Sequence, residues 1–176
     1  MIDINKLSKT YKIRILDNSD ADLIVNLCKQ NTLFYKYTVA KPTLEYALKD
    51  INSVPPGMTL KDKYYVGFFE GNELVAILDL IDGYPNKETV YIGFFMMNIK
   101  FQRKGIGSSI IQEVELYLKS ISKLSIRLAV DDKNPQSSHF WTKCGFKQIK
   151  DSNINGWIKH VYEKMIWYIN VSINNR

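Results

Sequence analysis

The stretch MMNIKFQRKGIGSSIIQEVELYL, residues 96–118, constrains this chain more than any other. An apolar run ends at Ile99. The turn Phe101-Gln102-Arg103-Lys104-Gly105-Ile106-Gly107 is basic and carries two glycines. Ile106, Ile110, Val114, Leu118 and Ile121 then fall near one helical stripe. A strand that enters a helix through such a turn leaves the first helical N–H groups without partners. Those donors and the helix dipole favour an anion. Gly105 and Gly107 let a ligand approach the backbone, Arg103 and Lys104 add positive potential, and Ser108 and Ser109 add hydroxyls. A pyrophosphate suits this arrangement. On the loop alone, so does a tight connection that merely happens to be basic. The glycine spacing and the missing Lys-Ser/Thr ending exclude a P-loop, and two glycines outside a clean βαβ unit do not make a Rossmann fingerprint.

The rest of the chain reads as alternating strands and helices. YKIRILD (11–17) is a strand, Asn18-Ser19-Asp20 offers capping side chains, and ADLIVNLCKQNTLFYKY (21–37) reads as a helix with Leu23, Leu27, Leu33 and Phe34 inward. TLEYALKDI gives a second helix capped at Thr43, and NSVPPGMT is a loop. KYYVGFFE and ELVAILDLI form a hairpin through Glu70-Gly71-Asn72, and TVYIGFFMMNI is a largely apolar strand covered on both faces. LSIRLAV is another strand. NPQSSHFWTKCG is a short helix with Asn134 as cap, Pro135 at its first position and Gly145 past its end. FKQIK and HVYEKMIWYI (160–169) complete the pattern. The order β-α-α-β-β-β-α-β-α-β-β argues for an α/β or α+β sheet with helices on both faces. A length of 176 residues suits one domain, taken as 1–176.

Composition excludes several classes. No apolar run approaches the roughly 20 residues that cross a bilayer, and the start MIDINKLSKTYK has no signal-peptide core. The expectation is a cytoplasmic protein with no membrane partner. Cys28 and Cys144 are the only cysteines and His139 and His160 the only histidines, so no metal site is expected, and a sequon at 170–172 has no meaning in the cytosol. The net charge of +6 can indicate nucleic acid, a membrane surface, an anionic small molecule or simply a solvated lysine surface. No run of like charge resembles a nucleic-acid tail, so no nucleic-acid partner is expected.

Two blocks resemble the GNAT superfamily of acetyl-CoA-dependent N-acetyltransferases. The first is Gln102-Arg103-Lys104-Gly105-Ile106-Gly107, against that family's Gln/Arg-x-x-Gly-x-Gly/Ala between its fourth strand and the next helix. The second is Asn134 followed by Phe140-Trp141-Thr142-Lys143-Cys144-Gly145-Phe146, against an Asn at a helix start and an aromatic-x-Lys-x-Gly-Phe ending. The resemblance implies a mixed, mostly antiparallel sheet of about seven strands in a single domain.

It also implies roles. Gln102, Arg103, Lys104, Gly105, Ile106, Gly107 and Ser108 would cradle the coenzyme A pyrophosphate. Met96, Met97 and Asn98 would pair their backbone with the pantetheine arm like an added strand, and the Met97 amide would steady the oxyanion. Asn134 would bond the pantetheine or hold the strands apart, and the same residue is a plain helix cap. Trp141 stands where many members carry a Tyr acid; its indole can donate a hydrogen bond but not a proton, so it lines the coenzyme channel or packs in the core. Tyr91 falls where some members carry a Glu base and is a poor base near its ordinary pKa of about 10. Asp79 is the nearest carboxylate to act instead, with Glu88 and Asp82 as weaker candidates. The segments that build the acceptor cleft in that family offer Phe34, Tyr35, Tyr37, Tyr46 and Tyr162, which line a pocket or, for most of them, simply fill the core, and no acidic cluster marks a polyamine pocket.

The expected activity is transfer of an acetyl group from acetyl-CoA, as cosubstrate and without metal, to a primary amine of a small molecule or protein. The alternative is a non-catalytic acyl-CoA-binding module of the same fold. A homodimer is compatible with either.

Overall fold

The apolar runs and their turns build one seven-stranded sheet in the computed structural model, which describes residues 1–154 and 156–167. The strands are Lys12–Ile15 (β1), Lys63–Glu70 (β2), Glu73–Asp82 (β3), Thr89–Met97 (β4), Ser125–Asp131 (β5), Lys147–Ile154 (β6) and Trp157–Met165 (β7). The helices are Ala21–Lys29 (α1), Leu44–Asn52 (α2), Ile106–Ser120 (α3) and Pro135–Lys143 (α4). The sheet order is β1-β2-β3-β4-β5-β7-β6. Every neighbouring pair is antiparallel except β4 and β5, which α3 connects as a crossover.

Helices cover both faces, as the apolar runs require. On one face Phe68, Leu78, Leu80 and Ile92 pack with Ile110, Val114, Leu118 and Trp141. On the other, Tyr65, Ile77 and Met96 pack with Ile24, Val25, Ala47 and Ile51. The α3 stripe is therefore the inward face, with Ile106 and Ile121 only partly buried at its ends. No helix among the described residues is long and apolar enough to cross a membrane.

The parallel pair determines where the site lies. β4 bonds β5 only from Thr89↔Ser125 to Ile92↔Leu128. Beyond that, β5 keeps its other partner, β7, through Ala129, Val130 and Asp131. β4 keeps β3 through Phe94 to Met97. The two central strands thus part company in mid-sheet. A register shift lies there as well: Asp79 opposes Phe94 and Leu80 opposes Ile92, leaving Gly93 as an extra residue in β4.

Three sequence expectations need correction. The helix predicted over 21–37 ends at Lys29. Asn31 explains the stop: its Nδ2 donates to the Leu27 carbonyl at 3.0 Å and to the Met97 carbonyl at 3.1 Å, which ties the helix end to β4. Phe34–Lys36 then forms a separate 3-10 turn, and Leu33 is exposed. The Asn18-Ser19-Asp20 run itself forms a 3-10 turn capped by Asp17, which makes a capping box with Asp20; Asp20 is the N-cap residue of α1 but its side chain does not cap that helix, and Arg14 holds it through two bonds of 2.7 Å. The last hairpin is longer at β6 than FKQIK suggests. Residues 168–169 of the predicted final strand, the sequon at 170–172 and the rest of the predicted domain to 176 lie outside the described residues.

Asn31→Ala removes the donor that satisfies two buried carbonyls. We expect a loss of roughly 1–3 kcal/mol in urea unfolding with an unchanged m-value. A loss under about 0.5 kcal/mol would mean that Asn31 does not anchor α1 to β4.

Candidate functional site

Two features meet where β4 ends: an uncapped helix terminus and an unpaired strand edge. α3 starts at Gly105, whose φ of 77° is the left-handed conformation that glycine tolerates. No side chain caps it and its first turn holds no acidic residue. The first intrahelical bond runs from Ser109 N to Gly105 O at 3.0 Å, so the N–H groups of Ile106, Gly107 and Ser108 have no intrahelical acceptor. By contrast, Thr43 caps α2 and Asn134 caps α4. Arg103 and Lys104 are exposed beside the open terminus, and neither forms an ion pair among the described residues.

The two glycines do different work. A methyl on Gly105 would meet nothing within 4 Å, so its backbone faces open space. A methyl on Gly107 would lie 3.3 Å from the Phe140 ring and 3.4 Å from Met97 Cγ. Gly107 is thus needed for close packing of α3 on β4 and α4. Gln102 does not face outward either: its Nε2 donates to Asn31 Oδ1 at 2.6 Å and to the Met97 carbonyl at 3.1 Å. It is a strut between the loop, α1 and β4.

The strand edge follows from the ladder. Asn98 N donates to Val75 O at 2.8 Å, and the Asn98 side chain donates to Leu74 O at 3.0 Å, so Asn98 is committed to the β3 side. Alternation then turns the N–H and C=O groups of Phe95 and Met97 toward the side that β5 has left. The Met97 carbonyl is taken by Asn31 and Gln102. Met96 points its side chain into the α1/α2 core.

A cleft of about 250 Å³ opens along this fork. Gly93, Phe94 and Phe95 form one side and Leu128 to Asp131 the other, with Asn134, Ser137 and Trp141 from α4 and a roof from α1, residues 34–43 and α2. Asn134 is buried and its Oδ1 accepts from Ser137 N at 3.0 Å. Trp141 packs on Phe146 and Phe140 at 5.1 and 5.0 Å between ring centres, and it also lines the cleft. Phe140 also stacks on Phe95 at 5.7 Å, so the packing that Gly107 permits continues into the cleft wall.

Asp79 lies at the floor of the cleft. It opposes Tyr65 on β2 and Phe94 on β4, and its carboxylate lies over Gly93, where a methyl group would collide with it. Lys63 Nζ bonds Asp79 Oδ2 at 2.7 Å, with the two side chains only 4% and 8% exposed. Oδ1 has no partner. Burial pushes the Asp79 carboxyl up to about 6, although Lys63 pulls the other way. Asp50 of α2 lines the same cleft and is raised by burial too, against the pull of Lys63 and Lys49.

The other sequence candidates fall elsewhere. Tyr91 sits where β4 and β5 still pair, opposite Arg127 and against the Tyr84 ring, and does not line the cleft; burial pushes it up to about 12. It is no base. Asp82 is paired with Lys123 at 2.5 Å, and Glu88 stands in the exposed turn before β4. Phe34, Tyr35 and Tyr46 line the cleft, whereas Tyr37 does not and Tyr162 belongs to the core under α3 and α4. Sequence reasoning missed Asn31, Asp50, Lys63 and Gly93. One signal was available: an aspartate inside the apolar run ELVAILDLI needs a buried cation, and KYYVGFFE opens with one.

Gly93→Ala should destabilise the fold by roughly 1–3 kcal/mol, because the methyl displaces the carboxylate held by Lys63. Chemical denaturation measures it; a neutral substitution would remove the bulge from the architecture of the site.

Comparisons with known proteins fit this geometry. The model of the acetyltransferase (GNAT) family matches residues 29–146. A search of curated proteins finds no match. Among solved structures, an acetyltransferase from Thermus thermophilus superposes with a TM-score of 0.73 at 23% identity, covering 89% of this chain and 97% of that one. The PaiA N-acetyltransferase of Thermoplasma acidophilum, solved with coenzyme A, gives 0.63 at 18% identity over 89% and 99%. The ribosomal-protein-S18-alanine N-acetyltransferase of Escherichia coli gives 0.62 at 10% identity over 93% and 99%. At these identities the structures establish the fold.

Proposed function

The chain belongs to the acetyltransferase (GNAT) family, and from that premise we propose that it moves an acetyl group from acetyl-CoA to a primary amine. The observation that carries the proposal is the junction of the uncapped α3 terminus with the unpaired edge of β4. The residues present fit the cosubstrate. Free N–H groups at 106–108, open space at Gly105 and the cations Arg103 and Lys104 suit a diphosphate. The outward amides of Phe95 and Met97 suit an extended amide-bearing arm laid along the strand. Asn134 and Trp141 close the opposite wall. Gln102 contributes indirectly, by holding the loop on Met97 and Asn31.

The thioester supplies the acetyl group: the amine nitrogen bonds to its carbonyl carbon, the carbon–sulfur bond breaks, and the electron pair leaves on sulfur as thiolate. The outward-facing amides of β4 stand ready to donate to the oxygen that gains charge. Asp79 Oδ1, buried and without a partner, accepts the proton that the amine gives up, directly or through one water. Lys63 holds Oδ2 and leaves Oδ1 without a partner. Tyr91 has no part in this. No acid is required in place of Trp141, because a thiol of ordinary pKa, about 8.5, leaves as its anion near neutral pH.

Thermal shift and thiol release test the reading together. Acetyl-CoA should raise the melting temperature, and thiol should appear when an accepted amine is added. A chain that binds coenzyme A but releases no thiol with any amine would be an acyl-CoA-binding module instead. Arg103→Gly combined with Lys104→Ala should lower coenzyme A affinity roughly tenfold. The melting temperature without ligand should hold, since the φ of 60° at position 103 suits glycine. Unchanged affinity would remove the loop from the site.

The pH profile tests Asp79. A base must be deprotonated to act, so kcat should fall as pH drops through about 6. Burial raises this value most, Lys63 on β2 lowers it and Asp50 on α2 raises it further. Asp79→Asn should abolish this limb and lower kcat about 10²-fold. A limb that survives the substitution assigns the base to another group.

A further inference from the structure

The roof and floor of the cleft converge on a group of polar side chains that the fold leaves unsatisfied. Asp79 comes from β3, Asp50 from α2 and Lys63 from β2. Lys63 is bonded to Asp79 alone, through Oδ2. Asp79 lines the cleft, its side chain is more than nine-tenths buried, and its Oδ1 has no hydrogen-bond partner. Asp50 lines the cleft too and forms no hydrogen bond or ion pair among the described residues, although it lies in the electrostatic field of Lys63, Tyr65 and Asp79. The Tyr65 hydroxyl, likewise buried and unpartnered, stands nearby. Lys63 is bonded to Asp79 and Lys49 reaches Asp50 only through its field, so the floor lacks hydrogen-bond donors and a bonded countercharge for Asp50.

We infer that the acceptor is a compact primary monoamine with an apolar or aromatic body, whose ammonium group docks between Asp50 and Asp79 before it loses its proton. The inference rests on the acetyl-transfer reading above and names the substrate class of that site. An ammonium group brings the missing charge and three donors. The body lies against Phe34, Tyr35, Tyr46 and Phe94, with the Phe34 and Phe94 rings 6.1 Å apart. A volume of about 250 Å³ suits a small ligand. The roof loop is pinned across it, since Tyr46 Oη donates to Val39 O at 3.4 Å, which disfavours a threaded peptide. A polyamine would need a second free carboxylate, but the next one in the cleft, Asp131, is paired with Lys159 at 3.0 Å. An amino acid would bring its carboxylate against Asp50 and Asp79.

A panel of phenethylamine, hexylamine, phenylalanine, spermidine and an alanine-ended peptide decides among these classes by acetyl-CoA-dependent thiol release. Phenethylamine and hexylamine should exceed the other three at least tenfold in kcat/KM. Phenethylamine should also raise the melting temperature of the coenzyme A complex. Asp50→Asn should raise the KM for phenethylamine at least tenfold, with a smaller change in kcat and no change in coenzyme A affinity. A preference for spermidine, phenylalanine or the peptide overturns the inference while leaving acetyl transfer intact. So does an unchanged KM in the Asp50 variant. Should that variant fail to fold, the panel and the thermal shift on the unaltered chain decide the question. Absence of any acetyl-CoA effect on the unaltered chain overturns the acetyl-transfer reading itself and this inference with it.

Discussion

The central constraint is that β4 has two partners for half its length and one for the rest. Where both partners are present, every backbone group is used within the sheet. Past Ile92, β5 turns its bonding to β7 while β4 stays with β3, and one row of backbone donors and acceptors is left unpaired. Such an edge inside a sheet is costly if buried and a recognition surface if a ligand fills it. The placement of α3, α4 and the acidic floor around that edge gives the site its form.

Gly93 links the edge to the floor. The extra residue in β4 brings its backbone under the Asp79 carboxylate, and only a residue without a side chain fits there. The carboxylate in turn is held by Lys63 from β2, on the far side of β3. Burying this pair raises the Asp79 pKa into the range where a carboxylate can exchange protons near neutral pH. Burial also leaves Tyr91, two residues before Gly93, fully protonated and outside the cleft. Asp79 on β3 and Tyr91 on β4 thus differ in their surroundings: the first lines the cleft and the second does not.

A second set of contacts keeps the uncapped α3 terminus and the cleft in register. Gln102 and Asn31 bond each other and share the Met97 carbonyl, so the loop before α3, the end of α1 and the end of β4 move as one unit. Gly107 allows α3 to press on Met97 and Phe140, and Phe140 stacks on Phe95 in the cleft wall. The distance between the open α3 terminus and the cleft is set by these packed contacts.

The sequence by itself determined the element order, the α3 stripe and the glycine-bearing turn before that helix. Each of these is local: periodicity, capping and backbone sterics act within a few residues. It did not determine the end of α1, because Asn31 stops that helix through a bond to a strand far along the chain. Nor did it bring Asp50, Asp79 and Lys63 together. Their meeting depends on strand register, and register here is reset by single-residue bulges at Phe68/Phe69 and at Gly93 that no hydrophobic pattern reveals. A slip of one residue sends a side chain to the opposite face of a sheet. Only the tertiary structure, which settles that register, could decide which carboxylates face the cleft and which remain unpaired.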